Sequence, residues 1–241
     1  MSISKSVDDF LYTVFHGQRC CLCDRRVKSD VSVCPKCIVA APYIGKDRCH
    51  SCGLSKADCT CGERTMCYNG ITAPFLYEGV ARTGIKAWKY HGTRSEDFYA
   101  SALAKCINVD FAGVSFDFIC CVPQTANEQG ERGKNQSEVL AMEVSRCMEL
   151  PFLQPLVKVF DTDRQHRLEQ YKKSGNVFGA FDCLTDFDLD GKVVLLIDDI
   201  KTSGATLNEC AKMLLLSGAM EVYCATIAIT RNNKTQNNLK E

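Results

Sequence analysis

A run of five apolar residues leading into two adjacent aspartates constrains the fold of this chain more than any other feature. Val193–Ile197 shows no alternation of apolar and polar residues, which is typical of a strand covered on both faces of a parallel sheet. Asp198 and Asp199 follow, and a small polar loop separates them from a segment with apolar residues at helical spacing. Those positions are Leu207, Cys210, Ala211, Leu214 and Leu215. The order of strand, acidic pair, loop and helix predicts an α/β fold.

The loop after the aspartates consists of small and hydroxyl-bearing residues. Its members are Lys201, Thr202, Ser203, Gly204, Ala205 and Thr206. Free N–H groups and the positive dipole end at the start of a helix favour a bound phosphate, and the hydroxyls can add donors. Because Asp198 and Asp199 would repel a phosphate, we expect them to meet sugar hydroxyls, or a hydrated magnesium ion that bridges hydroxyls and pyrophosphate. The alternative interpretation is an N-capped helix after a core strand with two solvated aspartates.

This string resembles the 5-phosphoribosyl-1-pyrophosphate (PRPP) motif of type I phosphoribosyltransferases. The resemblance lies in the hydrophobic run, the two acids and the Thr/Ser/Gly loop that ends in Thr206. It implies that Asp198 and Asp199 hold the ribose 2′ and 3′ hydroxyls, and that Lys201 to Thr206 hold the 5′-phosphate. It also implies that the two aspartates are the catalytic residues, because they can stabilise a positively charged sugar in the transition state.

A second strand-to-helix loop precedes this motif in the chain. Phe116–Val122 predicts a buried strand that runs into Pro123 and a polar segment, and a helix begins at about Gln136. The loop contains Arg132, which can offset the charge of a pyrophosphate. Asn135 stands at capping-box spacing before that helix, so it is either only the cap or also a ligand contact. We predict a pyrophosphate loop formed by Val122, Pro123, Arg132, Asn135 and Gln136.

Ten of the 17 cysteines lie between Cys20 and Cys67, which indicates metal binding rather than disulfides in a reducing compartment. Three Cys-x-x-Cys pairs and one Cys-x-Cys pair have the spacing of zinc knuckles. The predicted structural Zn²⁺ ligands are Cys20, Cys23, Cys34 and Cys37 for one site, and Cys49, Cys52, Cys59 and Cys61 for a second. An interleaved pairing, or a ligand swap with Cys21 or Cys67, is also compatible with the sequence.

Composition sets few further limits. The formal net charge is zero, so charge alone gives no argument for nucleic-acid or membrane partners. The first 70 residues carry ten Lys and Arg against seven Asp and Glu, a mild excess that permits contact with DNA. The basic segment from Arg82 to Arg94, which includes Lys89, is interpreted as a solvated helix face, with a phosphate or nucleic-acid patch as the alternative. We expect a cytoplasmic protein without a membrane span.

The ordered set of motifs resembles the ComF (ComFC) family of competence-associated, phosphoribosyltransferase-like proteins. Besides the cysteine knuckles and the PRPP loop, it includes five matching elements. Three of these elements are Tyr77-Glu78-Gly79, Trp88-Lys89-Tyr90-His91-Gly92, and Val122-Pro123 followed by Arg132-Gly133-Lys134-Asn135-Gln136. The other two are Thr162 with Gln165 and Leu168, and Asn176 with Gly179, Ala180 and Phe181. Two departures are Lys134, where the family has an aromatic residue, and Cys59-Thr60-Cys61, where Cys-x-x-Cys is common. The second departure shortens one knuckle of the second predicted zinc site.

The resemblance implies a type I phosphoribosyltransferase-like parallel sheet with helices on both faces, preceded by a zinc-ribbon module. We predict the module over residues 1–70 and the phosphoribosyltransferase-like domain over 71–241. Two functions follow. One is an enzyme that transfers phosphoribose from Mg²⁺-bound PRPP to an unidentified acceptor with release of pyrophosphate. The other is a non-catalytic, PRPP-responsive adaptor that binds single-stranded or double-stranded DNA and competence proteins in DNA uptake.

Overall fold

The computed structural model describes residues 17–28, 31–62, 65–91, 95–124, 135–159 and 180–231. The described helices are α1 Pro35–Ala40, α2 Gly79–His91, α3 Glu96–Asp110, α4 Gln136–Met148 and α5 Ala205–Leu216. The described strands are β1 Gly70–Thr72, β2 Phe75–Leu76, β3 Phe118–Cys121, β4 Leu156–Lys158, β5 Phe181–Cys183, β6 Val193–Lys201 and β7 Glu221–Ile229. Strands β4 and β5 form a separate antiparallel pair.

The main sheet is parallel throughout its described strands and has the order β1-β7-β6-β3. Strand β2 continues along β7 beyond β1, with Phe75 beside Ala228. The apolar run predicted as a buried strand lies in β6, but β6 extends to Lys201. Asp198 therefore still pairs with Thr226 of β7, and Lys201 with Ile229. Both aspartates are therefore part of strand β6, near its carboxyl end, and not part of the loop that follows it.

Helices cover the sheet on both faces, as predicted. Helices α2, α3 and α4 pack on one face, where Ile119, Leu195 and Ile197 belong to the same core. Helix α5 packs on the other face, against the alternate residues Val194 and Leu196. This alternation follows from the period of two along a strand, and it explains why the uninterrupted apolar run is needed.

The N-terminal cysteine-rich segment packs tightly against the helices and the sheet edge. A methyl group at Gly84 of α2 would lie 2.0 Å from the carbonyl oxygen of Cys21, so only glycine allows this approach. The Tyr99 hydroxyl donates to the same carbonyl oxygen at 2.7 Å. Arg48 donates from Nη1 to both carboxylate oxygens of Asp110, at 2.9 and 2.8 Å. The division of the chain at residue 70 stays a prediction.

None of the helices within the described ranges combines the length and the apolar character that crossing a bilayer requires.

Candidate functional site

Asp198 and Asp199 lie side by side at the carboxyl end of β6, and each is held by the protein through one oxygen. Asp198 Oδ1 accepts from the Ser137 hydroxyl at 2.8 Å and from the backbone N–H of Asp199 at 2.8 Å. Asp199 Oδ2 lies 2.5 Å from the Lys89 ammonium, and both side chains are only 12% exposed. Residues of β6, α2 and α4 therefore meet at this point.

The position of Lys89 corrects its interpretation as part of a solvated helix face, whereas Arg82 and Lys86 of the same segment are exposed as expected. Lys89 is nearly buried and pairs with Asp199 instead of facing solvent. Its neighbours Ile85 and Trp88 are buried in the core. Because α2 packs on the sheet face near the end of β6, its last turn brings the ammonium to the acidic pair.

The carboxyl of Asp198 has an unusual proton affinity. Burial, together with the negative charge of Asp199, raises the pKa of Asp198 to about 7. The hydrogen bond from Ser137, the backbone N–H of Asp199 and the charge of Lys89 oppose this rise in pKa. The groups around the pair therefore compensate its negative charge only in part.

The predicted phosphate loop turns sharply at Gly204, which has a φ of +83° and stands at the N-cap of α5. A methyl group at Gly204 would lie 2.9 Å from Lys201 Cε, so the lysine side chain folds back over the glycine. Lys201 is buried, and burial lowers the pKa of its ammonium. The left-handed backbone and the close approach of this side chain both explain why glycine stands here.

The remaining loop residues point outward. Thr202, Ser203, Ala205 and Thr206 are exposed, and the Ser203 hydroxyl accepts from the Ala205 N–H at 3.3 Å. The start of α5 therefore presents hydroxyl groups and helix-terminal N–H groups to solvent, which is the arrangement that suits an anion.

The two ends of the second loop are joined beside the acidic pair. Asn135 Oδ1 accepts from the N–H groups of Ser137 and Glu138, so Asn135 caps α4 as the spacing predicts. Its Nδ2 also donates to the carbonyl oxygen of Val122 at 3.3 Å. Pro123 and Gln136 are buried at these ends. Arg132 and Lys134 lie outside the described residues.

The cysteines form two groups with the membership predicted from their spacing. The first cysteine group is Cys20, Cys23, Cys34 and Cys37, and the second cysteine group is Cys49, Cys52, Cys59 and Cys61. All sulfurs of a group lie within 4.8 Å of one another. The pairing is sequential and not interleaved, and neither Cys21 nor Cys67 joins a group among the described residues.

The sulfurs of each group are close enough together to share one metal ion. Four sulfurs at about 2.3 Å from one zinc ion lie about 3.8 Å apart. The Cys23 and Cys34 sulfurs are 3.8 Å apart in the first group. In the second group the separations are shorter, at 3.6 Å between Cys49 and Cys61 and 3.1 Å between Cys59 and Cys61. Burial alone would raise the pKa of Cys49, but the backbone N–H of Cys52 and neighbouring thiols lower it to about 7. Both groups can hold zinc.

Two residues of the site had no clear signal in the sequence. Ser137 is the second residue of α4 and reaches Asp198 only because the N-terminus of α4 lies beside the end of β6. Lys89 reaches Asp199 from a helix 110 positions earlier in the chain. The sequence does hint at a role for Lys89, because Lys89 follows the apolar Trp88 in the segment Trp88–Gly92, which resembles a ComF motif.

We expect Asp198→Asn to raise the melting temperature, and to raise it more at pH 8 than at pH 5. The pKa of Asp198 is raised above that of an unfolded aspartate, so the native state loses stability as the pH rises through this window and carries the full penalty above pH 7. The amide removes the ionisation. Each kcal/mol regained should add about 2 to 4 °C.

Differential scanning calorimetry at both pH values measures this effect. Asp186→Asn is the matched control, because Asp186 is exposed and lies away from the site. An equal shift in melting temperature at the two pH values would contradict the burial of an ionised Asp198.

A family model, the phosphoribosyl transferase domain, matches residues 134–240. The match begins at the start of α4 and includes the acidic pair, the phosphate loop and α5. It does not include the cysteine-rich segment.

Curated relatives match more of the chain. The DNA utilization protein YhgH of Escherichia coli is 26% identical over 219 residues, which cover 87% of this chain and 90% of the relative. Competence protein ComFC of Bacillus subtilis is 24% identical over 232 residues, with 84% and 91% covered. Competence protein F of Haemophilus influenzae is 34% identical over 103 residues, with 42% and 45% covered. Together with the domain match, these relatives support a ComF-family, phosphoribosyltransferase-like protein.

Proposed function

We propose that this protein binds PRPP with Mg²⁺ beside Asp198 and Asp199 and transfers phosphoribose to a nitrogenous acceptor, with release of pyrophosphate. The proposal rests on three structural features that lie together at the carboxyl end of the sheet. A carboxylate pair, an outward-facing hydroxyl loop at a helix N-terminus, and the joined ends of a second loop all lie at the carboxyl ends of β3 and β6. Open α/β folds bind ligands at this edge.

In the proposed reaction, the Lys201–Thr206 loop holds the 5′-phosphate through the N–H groups and hydroxyls at the start of α5. Asp198 and Asp199 hold the ribose hydroxyls and stabilise the positive charge that develops on the sugar as the bond at C1 breaks. Arg132, in the segment between Val122 and Gln136, is proposed from the sequence resemblance to offset the charge of the pyrophosphate. Bound Mg²⁺ supplies charge neutralisation for the leaving pyrophosphate.

Calorimetric titration with PRPP, with and without Mg²⁺, tests the proposal. Wild-type protein should bind PRPP in the presence of Mg²⁺, and the double variant Asp198→Asn with Asp199→Asn should lose at least about 10-fold in affinity, since charged hydrogen-bond acceptors are lost. The matched control is Asp182→Asn with Asp186→Asn, which removes two exposed aspartates away from the site. Undiminished affinity in the first double variant would refute the site assignment.

We also propose that both cysteine groups hold structural Zn²⁺. The support is the sulfur geometry and the burial of Cys20, Cys37 and Cys52, because four thiolates complete a tetrahedral shell and leave no position for a substrate. Holding metal requires reduced thiols, which is consistent with residence in the cytoplasm.

Elemental analysis should find two zinc ions per chain. Cys34→Ser should remove the ion of the first cysteine group, and Cys61→Ser should remove that of the second. Each substitution should lower the melting temperature, because the bound metal cross-links separate segments of the chain and this cross-link is lost with it. Cys147→Ser is the control, since Cys147 is exposed and belongs to neither group. A metal-free chain that melts at the same temperature as the loaded one would contradict the structural role.

The names of the relatives favour a second candidate, a PRPP-responsive adaptor that binds DNA or competence proteins. In this case, binding of a labelled single-stranded or duplex oligonucleotide should weaken at least about 10-fold between roughly 50 and 200 mM salt. Binding should also disappear when a chelator removes the metal. Turnover of PRPP with a nitrogenous acceptor and a flat salt response would favour the enzyme instead.

A further inference from the structure

We propose that Lys89 and Ser137 are positioning residues that turn Asp198 and Asp199 to one side and leave one oxygen of each carboxylate for a ligand. We call these two residues the carboxylate clamp. The ligand class that fits two such oxygens is a 5-phosphorylated sugar with adjacent 2′ and 3′ hydroxyls. This inference rests on the proposed function and names the groups that give its site selectivity.

Lys89 acts on Asp199. Its ammonium lies 2.5 Å from Oδ2, and both side chains are 12% exposed, so water weakens the pair little. Within the described part of the chain, Oδ1 of Asp199 has no hydrogen-bond donor. The carboxylate is thus fixed through one oxygen, and the other remains able to accept from a hydroxyl.

Ser137 acts on Asp198 in the same way. Oδ1 of Asp198 accepts both from the Ser137 hydroxyl and from the backbone N–H of Asp199, each at 2.8 Å. No described residue donates to Oδ2 of Asp198. Two donors on one oxygen fix the orientation of the carboxylate and leave its second oxygen open.

The alternating direction of side chains along a strand explains why the acidic pair needs the clamp. Consecutive side chains of a strand point to opposite faces, so two adjacent aspartates do not naturally converge on one ligand. Helices α2 and α4 pack on the same face of the sheet, and one clamp residue comes from each helix. Both carboxylates are therefore tethered to helices of the same sheet face, and we infer that this tethering lets adjacent hydroxyls of a single sugar reach both.

The clamp also separates two tasks of the site. The hydroxyl loop at the start of α5 can bind a phosphate without the clamp, because its N–H groups and hydroxyls belong to another part of the chain. Recognition of the sugar hydroxyls depends on the orientation of the carboxylates. Loss of the clamp should therefore reduce selectivity for the sugar more than it reduces phosphate binding.

The test compares ribose 5-phosphate with 2,3-dideoxyribose 5-phosphate by calorimetric titration of the full chain without divalent metal. Wild-type protein should prefer the ribose compound by at least about 10-fold, since hydrogen bonds to charged groups are lost in the dideoxy compound. Lys89→Met and Ser137→Ala should each reduce this preference to a few-fold. Their affinity for the dideoxy compound should stay within about twofold of wild type.

Two further variants distinguish a specific effect of the clamp from a general loss of folded structure. Lys89→Arg keeps a cation beside Asp199 and should restore part of the preference, and Lys86→Met removes an exposed lysine of the same helix and should leave the preference unchanged. Ser137→Ala removes no charge, so it tests the inference if Lys89→Met melts at a much lower temperature.

The outcomes separate the inference from the proposed function. If wild-type protein binds PRPP, but folded Lys89→Met and Ser137→Ala keep the full preference or lose both sugar phosphates equally, the inference is wrong and the PRPP site stands. If wild-type protein binds neither PRPP nor ribose 5-phosphate, both are wrong. A preference lost in both variants and partly regained in Lys89→Arg supports the clamp.

Discussion

Two adjacent carboxylates at the end of a buried parallel strand need groups that compensate their charge, and residues from several elements supply that compensation. Removing a carboxylate from water costs several kcal/mol unless donors or cations compensate it. The compensation here comes from Lys89 of α2, from Ser137 of α4 and from one backbone N–H of β6. Because these groups come from three elements, the charge state of the pair depends on the packing of α2 and α4 on one face of the sheet. Burial and the charge of Asp199 still raise the pKa of Asp198 to about 7, so the compensation is only partial.

The local parts of the fold and of the candidate site could be predicted because each follows from a short pattern. Val194–Ile197 is buried as the apolar run predicts, with Val193 only partly buried, and the inner face of α5 consists of Leu207, Cys210, Ala211 and Leu214. Asn135 caps α4, and the two cysteine groups have the predicted members. Each of these features depends on residues within about one turn or one knuckle of one another, so spacing alone determines which side chains meet.

The contacts that orient the acidic pair could not be predicted, because they depend on how helices dock on the sheet. A lysine on an amphipathic helix is usually solvated, and nothing local to Lys89 indicates that α2 ends beside β6. Ser137 looks like an ordinary first-turn residue of a capped helix. The sequence pattern also ends β6 too early, at Ile197, because charged residues suggest the end of a buried strand. The pairing with β7 in fact continues through Asp198 to Lys201.

The order of strands has a consequence for synthesis on the ribosome. Strand β7 is the last described strand along the chain, yet it lies inside the sheet and pairs with β1, β2 and β6. A nascent chain that stops before Glu221 therefore has the edge of β6 and the edges of β1 and β2 exposed, with nothing to join them. Unpaired strand edges with apolar side chains favour aggregation. The sheet therefore stays open to incorrect association until Glu221–Ile229 has been synthesised and has paired with both of its neighbours.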